Sequence, residues 1–122
     1  MTGVLPAENT FDHLRSSDGE HVGYIHMTGS GQFIPFDLLH RQRAEAMELE
    51  DAEQLLDELG LRMFIEDWWL EVKGQRMKVL IQEVLRDRVR VAPAVEGAIA
   101  KSADMTATVE LALPTHRLHQ RP

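Results

Sequence analysis

Three side chains near the start of the chain are of the types that acid–base chemistry uses. His26 precedes the turn sequence Thr28–Gly31, and Asp37 and His40 follow it. If that turn closes a hairpin, His26 is placed to meet Asp37 or His40 across it, where an imidazole beside a carboxylate can move a proton. A single histidine in a strand is more often packed and hydrogen-bonded only. These three residues are therefore candidates for catalysis, and the question of an enzyme stays open with "no" as the favoured answer.

Other chemistries lack the residues they need. The chain has no cysteine, which excludes thiolate zinc sites, disulfides and cysteine nucleophiles. The glycines of the Thr28–Gly31 turn have no GK[ST] ending and no following helix, so they do not form a phosphate-binding loop. His116 and His119 have a spacing that suits a metal pair, but they stand between prolines, where no stable helix is expected. We predict no metal and no cofactor.

The two tryptophans carry the clearest binding chemistry in the sequence. Consecutive strand residues point to opposite faces of a sheet, so if Trp68 enters the core, Trp69 lies on the other face. One interpretation has Trp69 covered by residues 94–99 or by a neighbouring strand. The other has it anchor a protein interface, since tryptophan with arginine nearby is typical of binding hot spots. The predicted partner-binding residues are Trp69, Glu71, Lys73, Arg88 and Arg90.

Alternating apolar residues predict the strands that position these side chains. The alternation occurs in four runs: 61–65, 68–72, 77–81 and 89–91. The phase of the pattern flips after Asp67, which requires a turn or a bulge there. Gly74 supplies a tight turn, a second turn is predicted at 86–88, and Pro93 ends the last run. The pattern indicates a three- or four-stranded antiparallel meander.

A helix is predicted from Glu50 to Leu59, with Gly60 at its C-cap, because leucines recur there at helical spacing and acids crowd the first turn. Its leucine face is expected to cover one face of the meander, and a partner-binding stripe is the alternative. The hairpin around Thr28–Gly31 is placed at a sheet edge, because Pro35 cannot donate to a strand ladder.

These elements predict an α+β fold in which a small antiparallel sheet, made of the N-terminal hairpin and the meander, packs on one short helix. Residues 1–19 are expected to be a disordered leader, 20–92 a single α+β domain, and 93–122 a short helix or edge strand (109–113) with a flexible end from Pro114. The predicted buried core is Leu55, Leu56, Leu59, Trp68, Leu70, Val79 and Ile81.

Charge and hydropathy restrict the classes of partner that we expect this protein to bind. The net charge of −7 disfavours nucleic acid, whose phosphates would be repelled. No apolar run approaches the ~20 residues of a membrane span, and no signal peptide is recognisable, so we expect a cytoplasmic protein without membrane contact. Acids dominate 45–67 and bases 73–90, and these are expected to be solvated faces that partly neutralise each other.

The favoured function is a non-catalytic protein-interaction or regulatory module that binds an unknown protein partner or a second copy of itself as a homodimer. The alternative is a small-molecule-binding protein or small enzyme with a pocket near the first hairpin, formed by His26, Asp37 and His40.

Overall fold

The computed structural model describes residues 5–94 and 108–121, and within them it contains one helix and eight strands. In chain order the elements are β1 (Thr10–Leu14), β2 (His21–Met27), β3 (Phe33–Phe36), α1 (Leu49–Arg62), β4 (Trp68–Val72), β5 (Gln75–Val84), β6 (Arg88–Pro93), β7 (Val109–Ala112) and β8 (Leu118–His119). The strands form one three-stranded and one five-stranded antiparallel sheet. The predicted α+β class is confirmed.

The chain divides into two compact units, Met1–Arg62 and Met63–Pro122. The boundary falls inside 20–92, the range that the sequence analysis took as one domain. The first unit contains the three-stranded sheet and the helix, and the second contains the five-stranded sheet.

The three-stranded sheet has the order β1-β2-β3. The predicted hairpin is β2-β3, and Pro35 lies on the outer strand β3, as its missing N–H requires. Strand β1, however, lies within the stretch predicted to be a disordered leader, and for residues 10–14 that prediction is wrong. The apolar pattern missed this strand because its one buried side chain is a histidine, His13, whose ring is hydrogen-bonded to Asp57 of the helix.

Helix α1 is longer than predicted and packs on a different sheet. It continues through Gly60 to Arg62, and it contacts β2 and β3, whereas we expected it on the meander. Gly60 is not a C-cap: a Cβ there would lie 2.5 Å from Val22 Cγ1, so glycine allows the helix to approach β2. Gly23 on β2 has the matching role, since its Cβ would meet Leu56 Cδ2 at 2.9 Å. Sequence propensity contains no information about such close approach.

The core of the first unit follows from this packing. Its buried cluster contains Val22, Ile25, Ala52 and Leu56. Burial of Leu56 was predicted correctly, but Leu55 and Leu59 are only half-buried, because the helix turns one row of side chains toward the sheet and the residues beside that row stay partly in solvent.

The five-stranded sheet has the order β7-β6-β5-β4-β8. The predicted meander is β4-β5-β6. Lys73 and Gly74, with φ of 51° and 78°, form the two-residue turn between β4 and β5, which is the primed turn that suits a right-twisted hairpin. The predicted burial of Trp68, Leu70, Val79 and Ile81 is confirmed.

The prediction of a strand at 61–65 is wrong. Residues 61 and 62 end the helix, and 63–65 form a turn. The Met63 carbonyl in this turn accepts a hydrogen bond of 2.9 Å from the indole Nε1 of Trp68. The flip of the apolar pattern at Asp67 therefore reflects the turn that precedes β4.

Two strands near the end of the chain complete the sheet. Strand β7 pairs with β6, which confirms the edge strand predicted in 109–113. Strand β8 pairs with β4, and Leu118 is buried, so the flexible end predicted from Pro114 is wrong for these residues. One buried leucine and main-chain pairing hold β8, and neither produces an alternating pattern. Two predictions concern residues 94–99: that they form a short helix, and that they cover Trp69. Apart from Ala94, these residues lie outside the described part of the chain.

Among the described residues, no helix is both long and apolar enough to span a membrane.

Candidate protein-binding face

Strand β4 directs its two indoles to opposite faces of the five-stranded sheet. Trp68 is 1% exposed and pairs with Val79, which is fully buried. Trp69 is the next residue, so its side chain lies on the other face, where it is half-buried. One indole therefore belongs to the core, and the other keeps part of its surface in solvent.

The strand register determines which side chains surround Trp69. Residues directly opposite in an antiparallel pair lie on the same face, and Trp69 is opposite Lys78 on β5 and His119 on β8. Glu71 is likewise opposite Arg76. We call this surface the Trp69 face, and its members by register and alternation include Trp69, Glu71, Arg76, Lys78, Leu80, Glu83, Arg88, Arg90, Ala92, Glu110, Ala112 and His119.

Charged groups beside Trp69 are held by one another. The Glu71 carboxylate lies 3.1 Å from Nε2 of His119 and 3.9 Å from Nε of Arg76. The main-chain carbonyl of Glu71 accepts a 3.0 Å hydrogen bond from Nε of Arg117. Lys78 lies 3.5 Å from Asp67. The indole is thus bordered by an ordered set of donors and acceptors.

The far side of the face has a second set of ion pairs. Arg90 lies 3.1 Å from Glu83 and 3.2 Å from Glu110, and Arg88 lies 3.8 Å from Glu110. These side chains are between 40% and 49% exposed, so solvent screens the pairs and each contributes little to stability. These ion pairs therefore shape the surface and do little to stabilise the fold.

Four of the five predicted partner-binding residues lie on the Trp69 face: Trp69, Glu71, Arg88 and Arg90. The fifth, Lys73, is in the turn that joins β4 to β5. Sequence reasoning missed Arg117 and His119, because they belong to the segment expected to be flexible. Lys78 and Arg76 could have been found by counting the register back from the Lys73-Gly74 turn.

The first hairpin gives different partners to the candidates His26 and Asp37. His26 lies opposite Ile34, and its Nδ1 is 3.1 Å from Oγ1 of Thr10. Asp37 follows β3 and is 1% exposed. Its carboxylate accepts bonds from the N–H groups of Leu39 and Arg41 and pairs with Arg43 at 2.9 Å. Asp37 therefore shapes the loop after β3.

The third candidate, His40, lies against an aromatic ring. Its centroid is 5.4 Å from that of Tyr24 in an edge-on arrangement, and His21 contacts the same ring at 4.8 Å. His40 has φ of 68°, a left-handed conformation that turns the chain after Asp37. Beside it, burial lowers the pKa of the Arg41 guanidinium, and the nearby Asp37 carboxylate opposes that shift. The His40 ring thus contacts Tyr24, while its main-chain N–H donates to the Asp37 carbonyl at 3.0 Å.

His13, which is not among the predicted site residues, joins β1 to α1. It is 7% exposed, its Nε2 lies 2.8 Å from Oδ1 of Asp57, and its Nδ1 lies 3.8 Å from Glu53. The i, i+4 spacing of these two carboxylates on the helix was the available signal. Within residues 5–94 and 108–121, no group of three or more histidines and carboxylates is arranged to hold a metal ion.

Comparison with known protein families, with curated proteins and with solved structures found no match to this chain.

Proposed function

We propose that this protein is a non-catalytic interaction module that binds a protein partner through the Trp69 face. The observation that carries the proposal is a half-buried tryptophan on a sheet face, bordered by ordered ion pairs. Tryptophan and arginine are the residues most enriched at binding hot spots, and polar neighbours that exclude water from a central aromatic complete such a site.

Charge supports a protein rather than a polyanion as the partner. The second unit has eight acidic and nine basic residues, so it is nearly neutral. Much of the basic charge on the Trp69 face is already paired with carboxylates of the same sheet. A partner with an apolar socket and a mixed polar rim would be complementary to it, whereas a row of phosphates would displace pairs that already exist.

The alternative function, a small enzyme or small-molecule binder at the first hairpin, has weaker support. It requires His26, Asp37 and His40 to act as one group, whereas the His26 imidazole lies 3.1 Å from Thr10 and the Asp37 carboxylate holds the loop that contains His40. An aspartate with both oxygens committed to main-chain N–H groups and an arginine is better suited to hold a loop than to act as a base. A cytoplasmic location, favoured by the lack of cysteine, is part of the same proposal.

The test is quantitative affinity capture from an extract of the native cell, with the protein and two variants as baits. Trp69→Ala removes the proposed anchor. Met77→Ala is the matched control, because Met77 is an apolar residue, 41% exposed, that pairs with Leu70 on the opposite face of the same sheet. We expect a protein that the original chain and Met77→Ala retain equally and that Trp69→Ala loses by roughly fivefold or more, as truncation of a hot spot does.

Capture that is equal for all three baits would overturn the proposal, because binding would then not use Trp69. Equal loss for Trp69→Ala and Met77→Ala would do so as well, since it would show a general effect of damage to the sheet. Urea melts of both variants establish that each bait is folded in the assay.

A further inference from the structure

Helix α1 covers only part of one face of the three-stranded sheet. Toward its C-terminal end the helix lies over the start of β2, where Gly60 approaches Val22. Two large apolar side chains of the same sheet remain in solvent: Phe11 on β1 is 43% exposed, and Met27 at the end of β2 is 42% exposed. Apolar side chains that are exposed together, rather than singly, mark sites of interaction.

The strand register places both side chains on the face that the helix covers. Phe11 is opposite Ile25, which belongs to the buried cluster under α1, and Met27 lies two residues further along β2 on the same side. Met27 is opposite Phe33 on β3, and Phe33 is opposite Met47, just before the helix. Phe33 and Met47 are half-buried against the same cluster. We call Phe11, Met27, Phe33 and Met47 the apolar strip.

The residue types of the apolar strip suit a surface that receives another chain. Methionine is unbranched and its thioether is polarisable, so it adapts to partners of different shape, and phenylalanine adds a large apolar area. The strip crosses three inter-strand spacings, about 14 Å, which is the length of roughly two and a half turns of a helix. An amphipathic helix binds such a surface through apolar side chains that recur every three or four residues.

The charge beside the apolar strip is negative and unmatched. Residues 44–61 contain seven carboxylates and no lysine or arginine. On either side of Met47, the side chains of Glu45, Glu48 and Glu50 are exposed, and within residues 5–94 and 108–121 none of these three carboxylates forms an ion pair. The carboxylates of the Trp69 face are instead paired with cations of their own sheet. A cationic partner would neutralise the charge beside the strip, whereas a second acidic copy would be repelled.

We propose that the apolar strip is a docking site for a basic amphipathic helix of a protein partner. The apolar side of that helix packs on Phe11 and Met27, and its lysines or arginines reach the carboxylates at 45, 48 and 50. Apolar burial supplies most of the affinity, and the acidic border selects cationic helices and speeds their association. This site belongs to the first unit and does not depend on the proposed role of Trp69.

A synthetic peptide takes the place of the partner in the test. The probe is a fluorescently labelled peptide of about 14 residues, with leucine at helical spacing and lysine at the other positions. One control peptide has the same composition in scrambled order, and the other has glutamate in place of lysine. In anisotropy titrations we expect the probe to bind at least about tenfold more tightly than either control. Equal binding of either control peptide would overturn the proposal, because binding would then not require both an apolar side and positive charge.

Two variants of the protein test whether binding uses the apolar strip. Met27→Ala shortens one of its exposed side chains. Leu14→Ala is the matched control, because Leu14 is 55% exposed and follows His13, whose side chain faces the helix, so it lies on the opposite face of the sheet. We expect Met27→Ala to weaken binding of the probe by roughly fivefold or more, and Leu14→Ala to leave it unchanged. Unchanged binding by Met27→Ala, or equal loss in the two variants, would refute the proposal.

Chemical-shift mapping on the unaltered chain gives a test that does not depend on the folding of a variant. On addition of the probe, the amide resonances of residues 9–11, 27, 33 and 45–50 should shift most. Largest shifts on the Trp69 face, or along residues 57–62 at the other end of the helix, would place the peptide elsewhere and would contradict the proposal.

Discussion

The two units of the chain use charge in different ways. The first has twelve acidic and four basic residues, and it takes charged groups into its structure: Asp37 is buried and holds a loop, and His13 is buried and joins β1 to α1. The second is nearly neutral, its buried side chains are apolar among the residues described, and its ion pairs lie on one exposed face. Charge thus supports architecture in the first unit and shapes a surface in the second.

The units also differ in how their sheets are completed. In the first unit the sheet and its cover come from elements adjacent in sequence: the strands β1, β2 and β3 and the helix that follows them. The second takes both of its outer strands, β7 and β8, from residues 109–119. Close helix–sheet approach should therefore dominate stability in the first unit, and the last strands should matter strongly in the second.

The largest effect is expected from Leu56→Ala in the first unit. Leu56 is fully buried and its methyl groups lie over Gly23, so truncation removes apolar contact and leaves a cavity. We expect a loss of about 2–5 kcal/mol in the free energy of unfolding. Urea denaturation measures it, with Gln54→Ala on the exposed side of the same helix as control. An unchanged midpoint for Leu56→Ala would remove the helix from the core.

The matching change in the second unit is Leu118→Ala. Leu118 is 1% exposed and pairs with Leu70, so its loss should destabilise the sheet by about 2–4 kcal/mol. The exposed neighbour His116 provides the control variant, His116→Ala, which should be nearly neutral. If both substitutions are neutral in urea melts, the end of the chain does not support the sheet, and the contrast between the units fails.

Gly60→Ala sharpens the account of the first unit, because two effects of opposite sign compete. In a helix interior, alanine is more stable than glycine by about 1 kcal/mol. Here the added methyl would lie 2.5 Å from Val22 Cγ1, and overpacking of this kind costs about 1–3 kcal/mol. We expect net destabilisation in thermal melts, with Glu58→Ala on the exposed surface as the control. A stabilised Gly60→Ala variant would show that the helix does not approach β2 so closely.

The smallest effect concerns Asp18, in the turn between β1 and β2. Hydrogen bonds from Arg15 and from the Glu20 N–H hold the pKa of its carboxyl below the ordinary value. Because the folded pKa is lowered, its contribution to stability is present above the ordinary aspartate pKa and is lost as pH falls through the lowered value. NMR titration should give a low pKa for Asp18 that rises in the Arg15→Ala variant. An unchanged titration in that variant would show that Arg15 does not lower the pKa of Asp18.

Much of this fold could be predicted from the sequence wherever apolar residues alternate without interruption. Strands β4, β5, β6 and β7 have that pattern, and glycine marks the turns at Gly31, which indicates the β2-β3 hairpin, and at Gly74. Strands β1 and β8 could not be predicted this way, because main-chain pairing and a single buried residue, His13 or Leu118, hold each of them. The helix length was wrong because Gly60 looked like a cap, whereas a tertiary contact with Val22 explains it.

For the same reason, only part of the candidate site could be predicted from the sequence. Alternation in β4 separates Trp69 from Trp68 and places Glu71 with it, which needs no knowledge of the neighbouring strands. The side chains next to Trp69 depend on register, which the two-residue turn sets for Lys78 and which strand β8 sets for His119. Since β8 has no pattern of its own, His119 and its contact with Glu71 could be found only in the structure.

The most direct test of the central claim, that the two faces of β4 have separate roles, compares stability with association in the single variant Trp69→Ala. The measurement pairs urea unfolding with titration of the partner captured by the original chain. We predict that binding weakens by more than about 1 kcal/mol while the free energy of unfolding falls much less than in Leu56→Ala. Unchanged binding together with a loss of stability as large as that of a core substitution would show that Trp69 is an internal packing residue and would contradict the account.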